Sequence, residues 1–332
     1  MTREGGSQTR FGLSSGPAQV NITGGWYQTA GNDDMTDVAS SSTFQGASAK
    51  QLSRLERNEK LILFAFLLPT LALLAVFFFY PMLSFLAQSI FDPDFTLKHF
   101  EKSFGRPVYL RILWKTLKVS AWTTVSCFAI GYPVAFVMAH ATGKTKITIV
   151  AFVLIPFWTR VLVRMFAWMA LLGRDGVINR ALLHMGLVDQ PVEMLYTQFA
   201  VLVGMVHYML PYMILPIFAV MMGIPRNLMD AAANLGAPPH KVFWRVYFPL
   251  SLPGIGAGGL LVFIISMGFY VTPALLGGAK DVLLAQIIEQ QISDTLNWGF
   301  AAALSVILLT VTIVLFFLYD RLISPEKIYG GE

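Results

Sequence analysis

The chain carries one cysteine, Cys127, among 332 residues. A lone thiol excludes an intrachain disulfide and a cysteine-based metal cluster, and its apolar surroundings read as those of a buried, inert thiol. Charge is scarce too. Asp, Glu, Lys and Arg supply 13% of the residues against 55% hydrophobic ones, and the mean hydropathy is +0.62. This composition excludes disorder for the chain as a whole and argues against an ordinary soluble globular domain. The first residues lack the apolar core that a cleavable signal peptide needs. No metal-ligand grouping and no nucleophile–base constellation is visible, so no catalytic or metal-binding residue is expected. Gly143-Lys144-Thr145 has the look of a phosphate-loop tail, but Met138 stands where the first glycine should be and no strand precedes it. It reads as a short cytosolic turn.

What the chain has is apolar length. Six runs, near 61–90, 116–139, 147–172, 197–223, 254–276 and 299–319, each reach the ~20 residues that cross a hydrocarbon core of about 30 Å as helix. Helix is the consistent assignment, because backbone in lipid must satisfy its own hydrogen bonds and the runs are too uniformly apolar for barrel strands. The expected fold is therefore all-α: a polytopic membrane protein with six transmembrane helices over residues 59–325. Residues 1–58, rich in Ser, Gly, Thr and Gln, read as a disordered cytosolic tail. Residues 326–332 read as a short cytosolic C-terminal tail, and the first run as an uncleaved anchor. Pro69, Pro81, Pro133, Pro156, Pro211 and Pro216 interrupt the runs. They are kinks beside a translocation path or packing irregularities that neighbouring helices tolerate.

Lys and Arg set the orientation. With the N-terminus inside, Lys60, Lys144, Lys146, Arg226, Lys241, Arg245 and Arg321 fall on the cytosolic side, and Lys98, Lys102, Arg106, Arg111, Arg174 and Arg180 on the other. The basic loop after the first run is the exception to the bias. The net charge of +5 belongs to such loops and does not point to nucleic acid. The same orientation puts the polar stretch 226–253 in the cytosol. There Asn227 is a candidate N-cap with Asp230 at the third helical position, Ala231 and Ala232 favour helix, and Gly236 supplies a stop. Pro238 and Pro239 open a second helix through Lys241, Phe243, Trp244 and Arg245. The result is a helix-turn-helix on the membrane face.

The sequence Asp230-Ala231-Ala232, three residues, Gly236, nine residues, Val246, one residue, Phe248-Pro249 resembles the EAA loop of inner-membrane permeases of bacterial ABC importers. Asp230 replaces the usual Glu, and Phe248 the usual Leu. Further stretches resemble the spermidine/putrescine-type permeases: Gly131-Tyr132-Pro133-Val134-Ala135, Leu154-Ile155-Pro156-Phe157-Trp158-Thr159-Arg160, Gly173-Arg174-Asp175-Gly176 and Gly268-Phe269-Tyr270-Val271-Thr272-Pro273. The resemblance implies the type I permease fold in a bacterial inner membrane. It also implies a second permease subunit, a cytosolic ATPase dimer that binds ATP and Mg, an extracytoplasmic solute-binding protein, and no cofactor in this chain. It makes Asp230, Ala231, Ala232, Gly236 and Pro249 the ATPase-coupling residues and a polyamine the first-choice solute. Other amines, amino-acid derivatives and opine-like compounds stay open. The rival class is an ATP-independent carrier or channel, which would show inverted repeats and intramembrane acids; neither is evident.

Trp158, Arg164, Trp168, Tyr208, Tyr212 and Tyr270 are the candidate lining of a solute path. Ring faces attract cations, although aromatics in membrane helices also serve as packing and interface anchors. Arg160 and Arg164, four apart, would share a helix face; they are structural or, for an anionic solute, part of the path. His207 is a lone histidine on an apolar helix. None of the six runs holds an acidic residue in its interior, so carboxylates for a polyamine would come from the second permease or the binding protein. Residues 280–298, with Gln286, Glu289 and Asp294, read as an outer-surface helix that meets the binding protein or as a plain connector.

Overall fold

The computed structural model describes residues 67–92 and 94–323. The tails expected at 1–58 and 326–332 lie outside the described residues. The chain runs through α1 (Leu67–Ala87), α2 (Lys98–Gly105), α3 (Pro107–His140), α4 (Gly143–Trp158), α5 (Val161–Leu172), α6 (Val177–His184), α7 (Gln198–Met222) and α8 (Arg226–Asn234). It continues through α9 (Pro239–Met267), α10 (Val271–Leu276), α11 (Leu284–Ser293) and α12 (Trp298–Ile323). Among the described residues there is no strand, and one isolated bridge joins Phe91 to Phe95.

Among the described residues five helices, α1, α3, α7, α9 and α12, are long and apolar enough to cross a membrane; a sixth span is added if the pair Gly143–Trp158 and Val161–His184, bent by 101°, counts as one. This corrects the expectation of a continuous helix over 147–172. Thr159 and Arg160 are extended, and Arg160 is the N-cap of α5 rather than a neighbour of Arg164 on a helix face. The ladder that breaks here is closed locally, with Thr159 N–H and Oγ1 both donating to the Pro156 carbonyl (3.3 and 3.2 Å). The run at 254–276 likewise ends at Met267, and α10 begins at Val271. Gly143-Lys144-Thr145 is not a turn but the first turn of α4, opened by Gly143 at φ +55.

Proline placement explains two irregular turns. Single π-helical turns span Ala75–Phe79 in α1 and Phe243–Tyr247 in α9. In each, the residue before a proline (Tyr80 before Pro81, Phe248 before Pro249) donates to the carbonyl five residues back. A proline cannot donate and crowds the carbonyl four residues earlier, so the ladder widens instead of breaking.

The core lies where α3, α7 and α9 meet. On α7, Met205, Met209, Met213, Ile217 and Met221 recur every four residues, so they share a face, and all are buried. Small residues face them. An added Cβ at Gly258 would sit 2.9 Å from the Met213 carbonyl oxygen, and one at Gly254 would sit 2.9 Å from Ile217 Cα. Such close approach is how membrane helices gain packing without a hydrophobic drive. Cys127 is fully buried in this core, its Sγ 3.7 Å from the Val206 carbonyl. Toward the far end, Thr116 Oγ1 donates to the Ile112 carbonyl (2.9 Å) and accepts from Leu284 N–H (2.9 Å). Lys115 meets Asp281 at 2.7 Å and also donates to the Lys280 carbonyl. These bonds tie the start of α11 to α3.

Gly258→Val should lower stability by about 1–3 kcal/mol through overpacking against backbone that cannot yield. Gly259→Ala, whose Cβ meets only Thr124 Cγ2 at 3.7 Å, should leave it unchanged. Thermal unfolding of the two purified variants in detergent checks the contrast.

Candidate functional site

The segment between α7 and α9 is built as an exposed bracket. Pro225, with φ fixed at −66°, is the N-cap of α8; the expected Asn227 cap does not form. Asp230 therefore lies beyond the first turn and makes no capping box. Its carboxylate stands exposed, as do Ala231 and Gly236, while Ala232 and Pro249 are half-buried. The end of α8 follows the Schellman pattern. Gly236 takes φ +82, Ala237 N–H donates to the Ala232 carbonyl (3.1 Å), and Gly236 N–H to the Ala233 carbonyl (2.9 Å). Leu235, at the tip, is 89% exposed.

Pro239 then opens α9 at its first helical position. Phe243 packs inward against Tyr132, Phe136 and Tyr247 at 6.2, 5.8 and 6.0 Å between ring centres, so it anchors the bracket to α3. Trp244 is exposed. A cleft of about 390 Å³, lined in part by His140, Met229, Asp230, Phe243 and Tyr247, separates α8 from the ends of α3 and α9.

A second cluster sits at the break between α4 and α5. Arg164 places its guanidinium carbon 4.6 Å from the centre of the Tyr208 ring, and Nη2 donates to the Thr159 carbonyl at 3.1 Å. Its Nε is buried and has no hydrogen-bond partner. Around it, Tyr208 packs on Phe269 (4.7 Å) and Tyr212 (6.0 Å), and Tyr212 on Phe157 (5.3 Å). Trp168 Nε1 donates to His207 Nδ1 at 3.0 Å, which uses the lone histidine as a structural acceptor.

The structure thus brings together Arg164, Tyr208 and Tyr212, and places Trp168 beside His207. Trp158 is 81% exposed at the end of α4 and does not join the cluster. Tyr270 is the N-cap of α10, and its neighbour Phe269 makes the ring contact. Phe157 was missed in the sequence because nothing distinguishes it from the other aromatics; its place just after Pro156 was the available signal. Among the described residues no group of three or more His, Cys, Asp or Glu could hold a metal ion.

At the opposite end from α8, α11 forms as a helix with Leu284 buried and packs on α12. Nearby, buried His99 meets Asp92 at 2.9 Å, and the Lys102 ammonium lies 4.1 Å from the centre of the Phe300 ring.

These features match known proteins. The family model for binding-protein-dependent transport system inner membrane components covers residues 59–325. The spermidine/putrescine transport system permease protein PotB of Haemophilus influenzae is 35% identical over 260 residues, spanning 78% of this chain and 89% of that protein. PotB of Escherichia coli K12 is 32% identical over 256 residues, 75% of this chain and 93% of its own. A crystal structure of a bacterial ABC transporter involved in the import of the acidic polysaccharide alginate superposes with a TM-score of 0.68 at 19% identity, covering 81% of this chain and 98% of that one; at that identity the likeness speaks to fold. The chain accordingly belongs to the family of binding-protein-dependent transport system inner membrane components and is a multi-pass permease subunit of an ABC importer.

Proposed function

We propose that this subunit forms half of an inward path for a polyamine such as spermidine or putrescine, driven through α8 by a separate ATPase. The domain layout follows: a cytosolic tail at 1–58, a permease domain at 59–325 with the coupling loop at 226–253, and a cytosolic end. The second permease completes the path, an extracytoplasmic binding protein delivers the solute, and the cytosolic ATPase dimer holds ATP and Mg. Permeases named for spermidine and putrescine at 32–35% identity support the solute class. The observation that carries the coupling role is the exposed bracket. Asp230 and Leu235 stand free on a helix whose stop at Gly236 leads straight into α9, 29 residues of continuous helix, about 43 Å at 1.5 Å per residue. A push on α8 is therefore delivered along α9 to the core seam with α7. ATP and loaded binding protein act as ligands that favour one of two arrangements and shift the population between them.

Gly236→Ile tests the stop. Its Cβ would meet nothing within 4 Å, so any effect comes from the left-handed backbone, which costs a branched residue upward of about 1–2 kcal/mol. Membrane insertion should persist while uptake is uncoupled from ATP hydrolysis; unchanged uptake at normal expression would remove the coupling role. Leu235→Asp should weaken co-purification of the ATPase by about tenfold, the effect of losing one apolar contact worth roughly 1.4 kcal/mol, without lowering the thermal stability of the isolated permease. The solute is checked by receptor- and ATP-dependent uptake of labelled putrescine and spermidine into proteoliposomes. Uptake of an amino-acid derivative in their place would move the assignment to another solute within the same family.

A further inference from the structure

We propose that the face of the Tyr208 ring is an alkylammonium subsite of the translocation path, and that Arg164 is its built-in competitor. This rests on the amine reading above and adds to it what holds the solute in this subunit and what keeps that place closed when no solute passes.

A structural arginine inside a membrane is normally matched by a carboxylate, because an unpaired charge there is expensive. Arg164 has no such match within its own spans. The helices α1, α3, α4, α5, α7 and α9 contain no Asp or Glu; Asp175 follows the end of α5, and Asp320 lies in the last turn of α12. Its guanidinium is held by one carbonyl, that of Thr159, and by one ring, that of Tyr208, and Nε is left buried without an acceptor. So weak a set of restraints holds the charge in place without locking it.

The place it occupies suits an amine. Cations are attracted to the face of an aromatic ring, and an ammonium group and a guanidinium compete for the same face. The rings continue on both sides of Tyr208, from Phe269 at 4.7 Å to Tyr212 at 6.0 Å and on to Phe157, 5.3 Å from Tyr212. The row offers ring faces to charged ends and an apolar flank to the methylenes of a diamine. With no carboxylate in α4, α5 or α7, ring faces are what these helices offer a cation. The break at Thr159 and Arg160, which supplies the carbonyl that Arg164 uses, is the kind of helix interruption at which transporters place solute sites. With Arg164 seated, its positive charge also bars other cations from the same stretch of path. An arriving diamine displaces the side chain, and Arg164 returns once the diamine has moved on.

The test uses the complete transporter, with its second permease and ATPase, in proteoliposomes loaded with labelled putrescine and with erythritol as a neutral probe, without ATP. Arg164→Gln should raise putrescine efflux at least about fivefold and leave erythritol release unchanged. Arg164→Lys, which keeps the charge, should stay as tight as the parent. Tyr208→Leu added to Arg164→Gln should abolish the gain, since the ring is then gone. Arg164→Met removes the charge and gives the same reading should the glutamine variant not assemble, and thermal unfolding serves as the fold control. Equal leakage of putrescine and erythritol would mean a packing hole and overturn the proposal. So would unchanged putrescine efflux in a folded neutral variant. If both neutral variants fail to assemble while the lysine variant succeeds, the charge is structural and the proposal falls. A transporter that imports no polyamine with ATP and receptor, yet leaks putrescine once Arg164 is neutral, would sink the solute assignment and leave the subsite standing.

Discussion

In hydrocarbon there is no water to satisfy a backbone N–H or C=O, and every departure from regular helix must be closed by the protein itself. Three of the departures here adjoin the bracket or the aromatic row, and the fourth, in α1, does not. At the break after α4, Thr159 bonds back to Pro156 and Arg164 reaches the Thr159 carbonyl. After α9, Phe269 N–H bonds to the Ser266 carbonyl and Ala274 N–H to that of Tyr270. The two π turns accommodate Pro81 and Pro249 by lengthening the ladder by one residue. Irregular backbone is tolerated only where a nearby group satisfies it, and the same group is then positioned by it. Arg164 is the clearest case, since its placement on Tyr208 and its bond to the broken ladder are one arrangement.

The bracket of α8 and the seam of α7 are linked through α9. Gly236 fixes the end of α8, Phe243 pins the start of α9 on α3, and Gly254 and Gly258 bring α9 into backbone contact with α7. The aromatic row lies on α7, at Tyr208 and Tyr212, one position along from the buried Met209 and Met213. The path of contact from α8 to the ring cluster therefore runs through the short link at Gly236–Pro238, one helix and one close-packed contact.

Much of this could be read in the chain itself. Apolar length sufficed for an all-helical membrane fold, and the spacing from Asp230 to Pro249 sufficed for the family. Gly236 and Pro239 were legible because left-handed backbone and a first-turn proline leave distinct residue signatures. The break at Thr159 and Arg160 was not, since it contains no glycine and hydropathy averages across it. The start of α3 at Pro107 lies ahead of the expected start near 116 because Arg111 and Lys115 look like loop charges, whereas Lys115 is occupied by Asp281 and the Lys280 carbonyl. The N-cap shifted from Asn227 to Pro225 because a ring-fixed φ starts the helix before a side-chain cap is needed. The partners of Arg164 depend on how α5 and α7 pack, which no local pattern encodes.

The methionines along α7 have a consequence of their own. An unbranched thioether has three soft torsions and adapts its shape to whatever lies opposite. The stripe of Met205, Met209, Met213 and Met221, interrupted by Ile217, gives the flanking helices a surface whose shape adjusts more readily than one built of branched side chains. That pliancy has a chemical weakness. A single sulfoxide would set a polar oxygen in the middle of this buried contact, so the adaptable seam is also the one an oxidant could jam.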